Sequence, residues 1–433
     1  MLKIQLGIKN VKLVLIMSVY VVLCLCLTSI NIKYSINIKG FNFQFSTVYA
    51  VVILSIISIS SFFVKKSSIS KEMAYFIGWT VFEIVIILVM SMFRDVSFMC
   101  TIDELIVLLV PFVLCIHMKE YVINKIGILL AIVTVGNFVS LQVYIYTMFY
   151  SVAQRLLGWG VNRFGAASVR ADTTMGAATS SSIYLYTIVV ICLYLLGQEL
   201  SKFWRRYVYI SLGITLFAQL LLQTRSGLVM SALVVLYYLL KSKNYKIKRY
   251  LIRAFSLGAV CIISLKKEIV LDIINRIKNL DNYTAASDLL RKQLIENGLM
   301  KWNENICFGS GMGQGLTRLN QINRMSNTIG NPHNQYISFL IDFGLIGILL
   351  FSICIIIFFV DVFRNKKDKF LLISSVCMLL VAFNTETLFT QSLRGAIIVW
   401  NLVIVIVLSR NDSNIEKDDG NEKNSNIHTT RCG

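Results

Sequence analysis

The chain has 433 residues, a mean hydropathy of +0.70, 56% apolar residues and only 15% charged ones, where a soluble domain carries about 25% charged residues. That balance excludes an ordinary water-soluble globule and points to a helical bundle in lipid, where each helix satisfies its own backbone. The formal charge of +19 would suit nucleic acid, but the lysines and arginines sit between the apolar runs, where membrane orientation needs them, so no nucleic-acid partner is expected.

Two prolines and little alternation argue against an outer-membrane barrel. Windows of about 20 apolar residues predict about twelve spans, near 11–30, 45–64, 74–93, 103–118, 126–149, 183–197, 207–223, 227–240, 250–265, 336–360, 370–389 and 394–409. The first run lacks a clear cleavage site, so no removable signal peptide is expected. Each short even-numbered loop is basic, as with Lys65, Lys66 and Lys71, with Lys202, Arg205 and Arg206, or with Arg364, Lys366 and Lys367. These loops should face the cytoplasm, with both termini inside. Two long connections, about 150–182 and 266–335, are odd-numbered and should lie outside. The expected organisation is an all-α, polytopic transmembrane domain over 1–410 and a polar, disordered cytoplasmic tail over 411–433. The expected location is the inner or plasma membrane, with the active face outward. No internal repeat is visible.

Ionisable groups in or beside spans are costly, and each is a candidate for function. Glu83 lies within the third span, and Arg225, Asp342, Glu386 and Arg394 fall near outer span ends. With Arg155, Arg163 and Arg170 of the first long loop they outline a basic outer surface. Such a surface suits an anionic, lipid-attached substrate such as a diphosphate, whose oxygens guanidinium groups bind in pairs. Structural alternatives stand beside each. The three loop arginines, spaced by eight and seven, would share one face of an interfacial helix. Glu386 and Arg394 would pair across a tight outer hairpin, and Glu83 would hydrogen-bond inside the bundle.

Cysteines give no CxxC pair, and most lie in apolar runs, although Cys100 and Cys307 both fall near the outer side. The stretch Gly309-Ser310-Gly311-Met312-Gly313-Gln314-Gly315 has no Gly-Lys-Ser/Thr after it and reads as a tight outer-loop turn rather than a phosphate loop. No metal-ligand spacing occurs, so neither metal nor cofactor is expected. The segment Asn331-Pro332-His333-Asn334-Gln335-Tyr336 reads as a helix start, with Asn331 as cap and Pro332 in the first helical position. His333 would then stand in the first turn of the tenth span, suited to general-base work or to a simple capping role. Asp342 follows nine residues later, on the opposite face at about 100° per residue, and cannot orient His333 in a regular helix.

The stretch from His333 to Gly347 (HNQYISFLIDFGLIG) resembles the signature of the O-antigen ligase and O-antigen or capsule polymerase superfamily. There a His-Asn pair opens a span after a large outer loop. Gln223-Thr224-Arg225-Ser226-Gly227 is similar to the family's arginine-containing turn, and Trp302 to Gly315 (WNENICFGSGMGQG) to its Trp and Gly-x-Gly stretch. The family usually has Glu where Asp342 stands. The resemblance implies metal-independent glycosyl transfer outside the membrane from an undecaprenyl-diphosphate-linked oligosaccharide, with a flippase and a chain-length regulator as neighbours. It implies His333 as base. Arg225, Arg291, Arg163 and Arg170, with Asn334, Asp342, Glu386 and Arg394, are the substrate-side candidates. Repeat-unit polymerisation of a capsule, exopolysaccharide or O-antigen is the leading expectation. Ligation of a finished glycan to a lipid or protein acceptor, and transport of the lipid-linked glycan, are the alternatives.

Overall fold

The computed structural model describes residues 35–38, 41–44, 71–93, 96, 98, 101–102, 104–105, 125–149, 162–164, 168–170, 173, 175, 178–222, 224–241, 249, 280–315, 332–364, 369–388, 397–399 and 401–406. In chain order the elements are the hairpin β1 (Ser35–Ile38) and β2 (Phe41–Gln44), then α1 (Lys71–Ser91), α2 (Lys125–Met148), and a second hairpin of β3 (Asn162–Phe164) and β4 (Ser168–Arg170). They continue with α3 (Ala178–Leu196), α4 (Lys202–Leu222), α5 (Arg225–Lys241), α6 (Leu280–Asn303), α7 (Gln335–Arg364) and α8 (Lys369–Cys377). A π-helical turn, Met378–Ala382, and a last turn, Phe383–Thr385, extend α8.

Among the described residues, three segments are long and apolar enough to cross a membrane: Ile126–Thr147, Ala178–Leu196 and Gln335–Ile353. Shorter apolar helices run over Ile77–Ser91, Lys369–Thr385 and Ile397–Ile406. The helical membrane bundle read from composition is therefore present, with two short antiparallel hairpins that the all-α expectation lacked. The expected spans 11–30, 45–64 and 250–265 and the tail 411–433 lie outside the described residues.

The core centres on α3, where every residue from Ser181 to Leu193 is buried, as a helix apolar on all sides requires. Neighbours approach it closely through small residues. Gly227 of α5 presses on Ser182, and Gly136 of α2 on Ile188. Polar side chains pin the helices at chosen depths: Gln219 Nε2 donates to the Ser182 carbonyl (3.1 Å) and Tyr186 Oη to the Ser374 carbonyl (2.7 Å). Between α2 and α4, Asn137 Nδ2 donates to both Tyr207 Oη (3.1 Å) and Ser211 Oγ (2.8 Å).

The tenth expected span is not a continuous helix. α7 breaks at Gly344, with φ 62° and ψ −171°, in the middle of its apolar stretch and about 13 Å along the helix at 1.5 Å per residue. A break at that depth leaves amides and carbonyls that lipid cannot satisfy. The glycine-rich stretch after α6 supplies their partners. Ser310 N donates to the Ile341 carbonyl (2.6 Å) and Gly311 N to the Asp342 carbonyl (2.9 Å). In return Leu345 N donates to the Ile306 carbonyl and Ile346 N to the Cys307 carbonyl, both at 3.0 Å. Asp342 Oδ1 closes the arrangement by accepting from Gly315 N (2.7 Å).

This corrects the reading of Gly309–Gly315 as an outer-loop turn: the stretch re-enters the bundle and mends α7. Only glycine fits at the two closest points. Gly309 (φ +67°) and Gly344 (φ +62°) meet backbone to backbone, and a methyl group on Gly309 would stand 2.5 Å from the Gly344 nitrogen. Cys307 is a free thiol beside the exposed apolar Ile306 and Phe308. Its carbonyl accepts from Ile346 N, within the apolar stretch Gln335–Ile353.

From the other side α1 covers the mend. Trp79 Nε1 donates to the Gly347 carbonyl (3.2 Å), and its ring packs on Phe343 and Phe351. Glu83 is buried against Gly347 and near Asp342, and among the described residues neither of its carboxylate oxygens has a hydrogen-bond partner. The expected hydrogen bond of Glu83 within the bundle is thus not formed among them.

Alanine at Gly344 or Gly309 meets both a left-handed backbone and occupied space. We expect each substitution to cost roughly 2–5 kcal/mol, measured as a lower melting temperature of the detergent-solubilised protein. Gly78→Ala and Gly213→Ala, where a methyl group meets nothing within 4 Å, should leave it unchanged or slightly higher.

Candidate active site

α7 begins at Gln335, and its cap is Asn334, whose Oδ1 accepts from Tyr336 N (3.0 Å) and Ile337 N (3.2 Å). These are the second and third amides of the helix, the two that a capping side chain reaches. The expected start at Asn331-Pro332 is therefore three residues too early. Pro332 is buried and non-helical against Gly298 of α6, and Asn331 lies outside the described residues. His333 consequently stands before the cap rather than in the first helical turn. Its φ of 47° is the one positive value among the described non-glycine residues. Left-handed backbone in a residue with a side chain costs about 1–3 kcal/mol and is concentrated at functional sites.

The side chain of His333 meets a carboxylate in that conformation. Its Nδ1 lies 3.2 Å from Glu386 Oε1, while a third of the side chain (32%) remains exposed against 11% for Glu386. One ring nitrogen is thus engaged by a carboxylate and the imidazole stays accessible. Glu386 reaches this position because α8 passes through the π-helical turn, a feature frequent at functional sites. The helix then makes its last bond from Glu386 N to the Ala382 carbonyl (3.0 Å), and Glu386 turns to extended backbone. Further bonds tie the two elements. Asn334 Nδ2 donates to Asn384 Oδ1 (3.3 Å), Tyr336 Oη to the Leu379 carbonyl (2.8 Å), and Leu388 N to Gln335 Oε1 (2.6 Å). Glu386 contacts His333; the expected Glu386–Arg394 pair cannot be placed beside it, because Arg394 lies outside the described residues.

Arg225 and Arg291 stand on α5 and α6, and Arg163 and Arg170 on the β3–β4 hairpin. Arg225 is the exposed first residue of α5. The Tyr238–Phe370 ring contact (5.7 Å) sets α5 beside α8. Gly227 explains the local sequence, since the α5 start could not approach Ser182 with a larger residue. Arg291, half-buried, shares one face of α6 with Leu294, Gly298 and Lys301, and on that face Gly298 lies against Pro332, Ile337 and Ile341. Arg291 stands two turns before Gly298 on α6.

Arg163 and Arg170 sit in adjacent rungs of the β3–β4 hairpin, where Arg163 pairs with Val169 and Asn162 with Arg170. An interfacial helix carrying both on one face is thereby replaced by a hairpin, and Arg155 lies outside the described residues. The hydrogen bond between Thr173 Oγ1 and Ser181 Oγ (2.6 Å) connects the chain after the hairpin to the first turn of α3. Asp342 is not part of this group. It is buried at the α7 break and engaged by Gly315. Among the described residues, no three His, Cys, Asp or Glu side chains stand together as metal ligands.

The site thus sets a strained histidine against a carboxylate at the start of an apolar helix. Residues 210–352 match the family model described as O-antigen ligase, so over that stretch, from α4 into α7, the chain is similar to this family. The matched part includes Arg225, Arg291, His333 and Asp342 but not Glu386. No curated protein and no solved structure matches.

Because Asn334 caps α7 and also binds Asn384, Asn334→Ala should cost about 1 kcal/mol, read as a lower melting temperature. Asn334→Asp, which keeps the capping oxygen, should recover most of that loss.

Proposed function

We propose that this chain polymerises the repeat units of a surface polysaccharide by glycosyl transfer from a polyprenyl-diphosphate-linked glycan at the outer face of the cell membrane. The observation that carries the reading is the 3.2 Å contact between His333 Nδ1 and Glu386 Oε1 at the strained start of α7. A carboxylate on Nδ1 favours the tautomer with its proton there, leaving Nε2 as the acceptor. His333 Nε2 takes the proton of an acceptor sugar hydroxyl. The hydroxyl oxygen forms a bond to the anomeric carbon of the donor, and the bond from that carbon to the diphosphate oxygen breaks. Negative charge grows on the departing diphosphate, and preplaced guanidinium groups favour the transition state more than the ground state. Arg225 and Arg291 take this role, with Arg163 and Arg170 of the hairpin as further contacts to the carrier.

Undecaprenyl diphosphate as carrier and independence from metal follow from the family resemblance. A second reading has a specific observation in its favour: the matching family model is described as O-antigen ligase. In a ligase the same residues would pass a finished glycan to a lipid or protein acceptor.

The test separates them. In a strain lacking the gene, the wild-type gene should restore long surface glycan on a gel. His333→Ala should leave single repeat units, because loss of a general base lowers the rate about 10²–10⁴-fold. Full-length glycan retained on its lipid carrier would identify a ligase, and normal surface glycan with His333→Ala would overturn the base assignment.

A further inference from the structure

The contact between His333 and Glu386 joins residues 53 positions apart, and what holds Glu386 in place is not Glu386 itself. Its backbone is extended, at φ −154° and ψ 152°, at the point where the last helical turn ends. Behind it the chain is fixed by the Glu386 N bond to the Ala382 carbonyl (3.0 Å). Ahead of it, the next fixed point is Leu388, whose amide donates to Gln335 Oε1 at 2.6 Å in a buried contact. The bond at Leu388 fixes the chain two residues beyond Glu386, so together with the bond to Ala382 it holds the carboxylate-bearing residue from both sides. Gln335 is fully buried and is the first helical residue of α7, two positions after His333. The same short stretch therefore carries the imidazole and the side chain that anchors its carboxylate.

We propose that Gln335 is a positioning residue, which holds the Glu386–Leu388 segment so that the carboxylate meets His333. The inference rests on the reading of His333 as the base. It also gives the triplet His333-Asn334-Gln335 a division of labour: the base, the helix cap with its bond to Asn384, and the anchor of Leu388. Methionine at 335 would fill similar volume but leave the buried Leu388 N–H without its acceptor, a vacancy that displaces the segment or leaves it mobile.

The test is a double-mutant cycle in isolated membranes that hold the endogenous lipid-linked donor. The readout is labelled sugar incorporated into polymer per unit of enzyme, matched by immunoblot. If Gln335 acts through Glu386, Gln335→Met should lower the rate about 10-fold or more in the wild-type background and by less than about 2-fold in Glu386→Gln. Equal losses in both backgrounds would show a merely structural role and overturn the inference, as would no loss in either. Should the methionine chain fail to accumulate, Gln335→Ser, which cannot clash and cannot reach Leu388, is expected to give the same non-additive pattern. His333→Ala is run alongside. If it keeps its rate, the base reading itself fails. If it is inactive while the Gln335 losses are additive, only the positioning role fails.

Discussion

Backbone amides and carbonyls inside a bilayer have no water to turn to, and each one left unpaired costs several kcal/mol. α7 is interrupted at Gly344 at that depth, so its survival depends on the strand-like exchange with Ile306–Gly311 described above. The exchange is reciprocal: α7 offers two carbonyls upstream of the break and two amides downstream, and the re-entrant stretch offers the complement. Three positive-φ glycines give that stretch the curvature to do so, and Asp342 fixes its far end through Gly315. The consequence is a second attachment of the long connection before α7, in the interior of the bundle.

That attachment constrains everything above it. α6 leads directly into the re-entrant stretch, so docking the stretch also draws α6 onto the first turns of α7, with Gly298 against Pro332, Ile337 and Ile341. The half of α7 before the break is short and held at both ends, by the re-entrant stretch at Asp342 and by the Asn334 cap at its start. A strained residue such as His333 persists only where its surroundings over-determine it. The cap, the Asn384 bond and the Leu388 bond provide that excess of constraint.

Much of the bundle was legible because apolar length is a direct signal of lipid immersion, as the agreement of 126–149 with α2 and of 336–360 with α7 shows. The break in α7 was not, since Asp342-Phe343-Gly344 reads as unremarkable span sequence, and only a partner segment from a distant part of the chain makes a break tolerable. The clue lay in Gly309, Gly311 and Gly313, whose spacing marks sharp curvature without saying where the curve goes. For the site, residue type pointed to His333 and to Arg225. The cap was misplaced because Asn331 and Asn334 are both competent and local sequence cannot decide between them. The Glu386 partnership depends on the π-helical turn at Met378–Ala382, whose apolar sequence gives no sign of it. Gln335 was passed over because a buried anchor to a backbone amide has no sequence signature.

The central claim is that this end of the bundle breaks the bond between a glycan and its diphosphate carrier and does not merely carry the lipid-linked glycan across the bilayer. The most direct measurement is mass spectrometry of lipid products from the purified chain in liposomes supplied with one polyprenyl-diphosphate-linked repeat unit. The account predicts one free polyprenyl diphosphate for each unit added to a growing glycan. Donor that changes leaflet but keeps its glycan intact would contradict it.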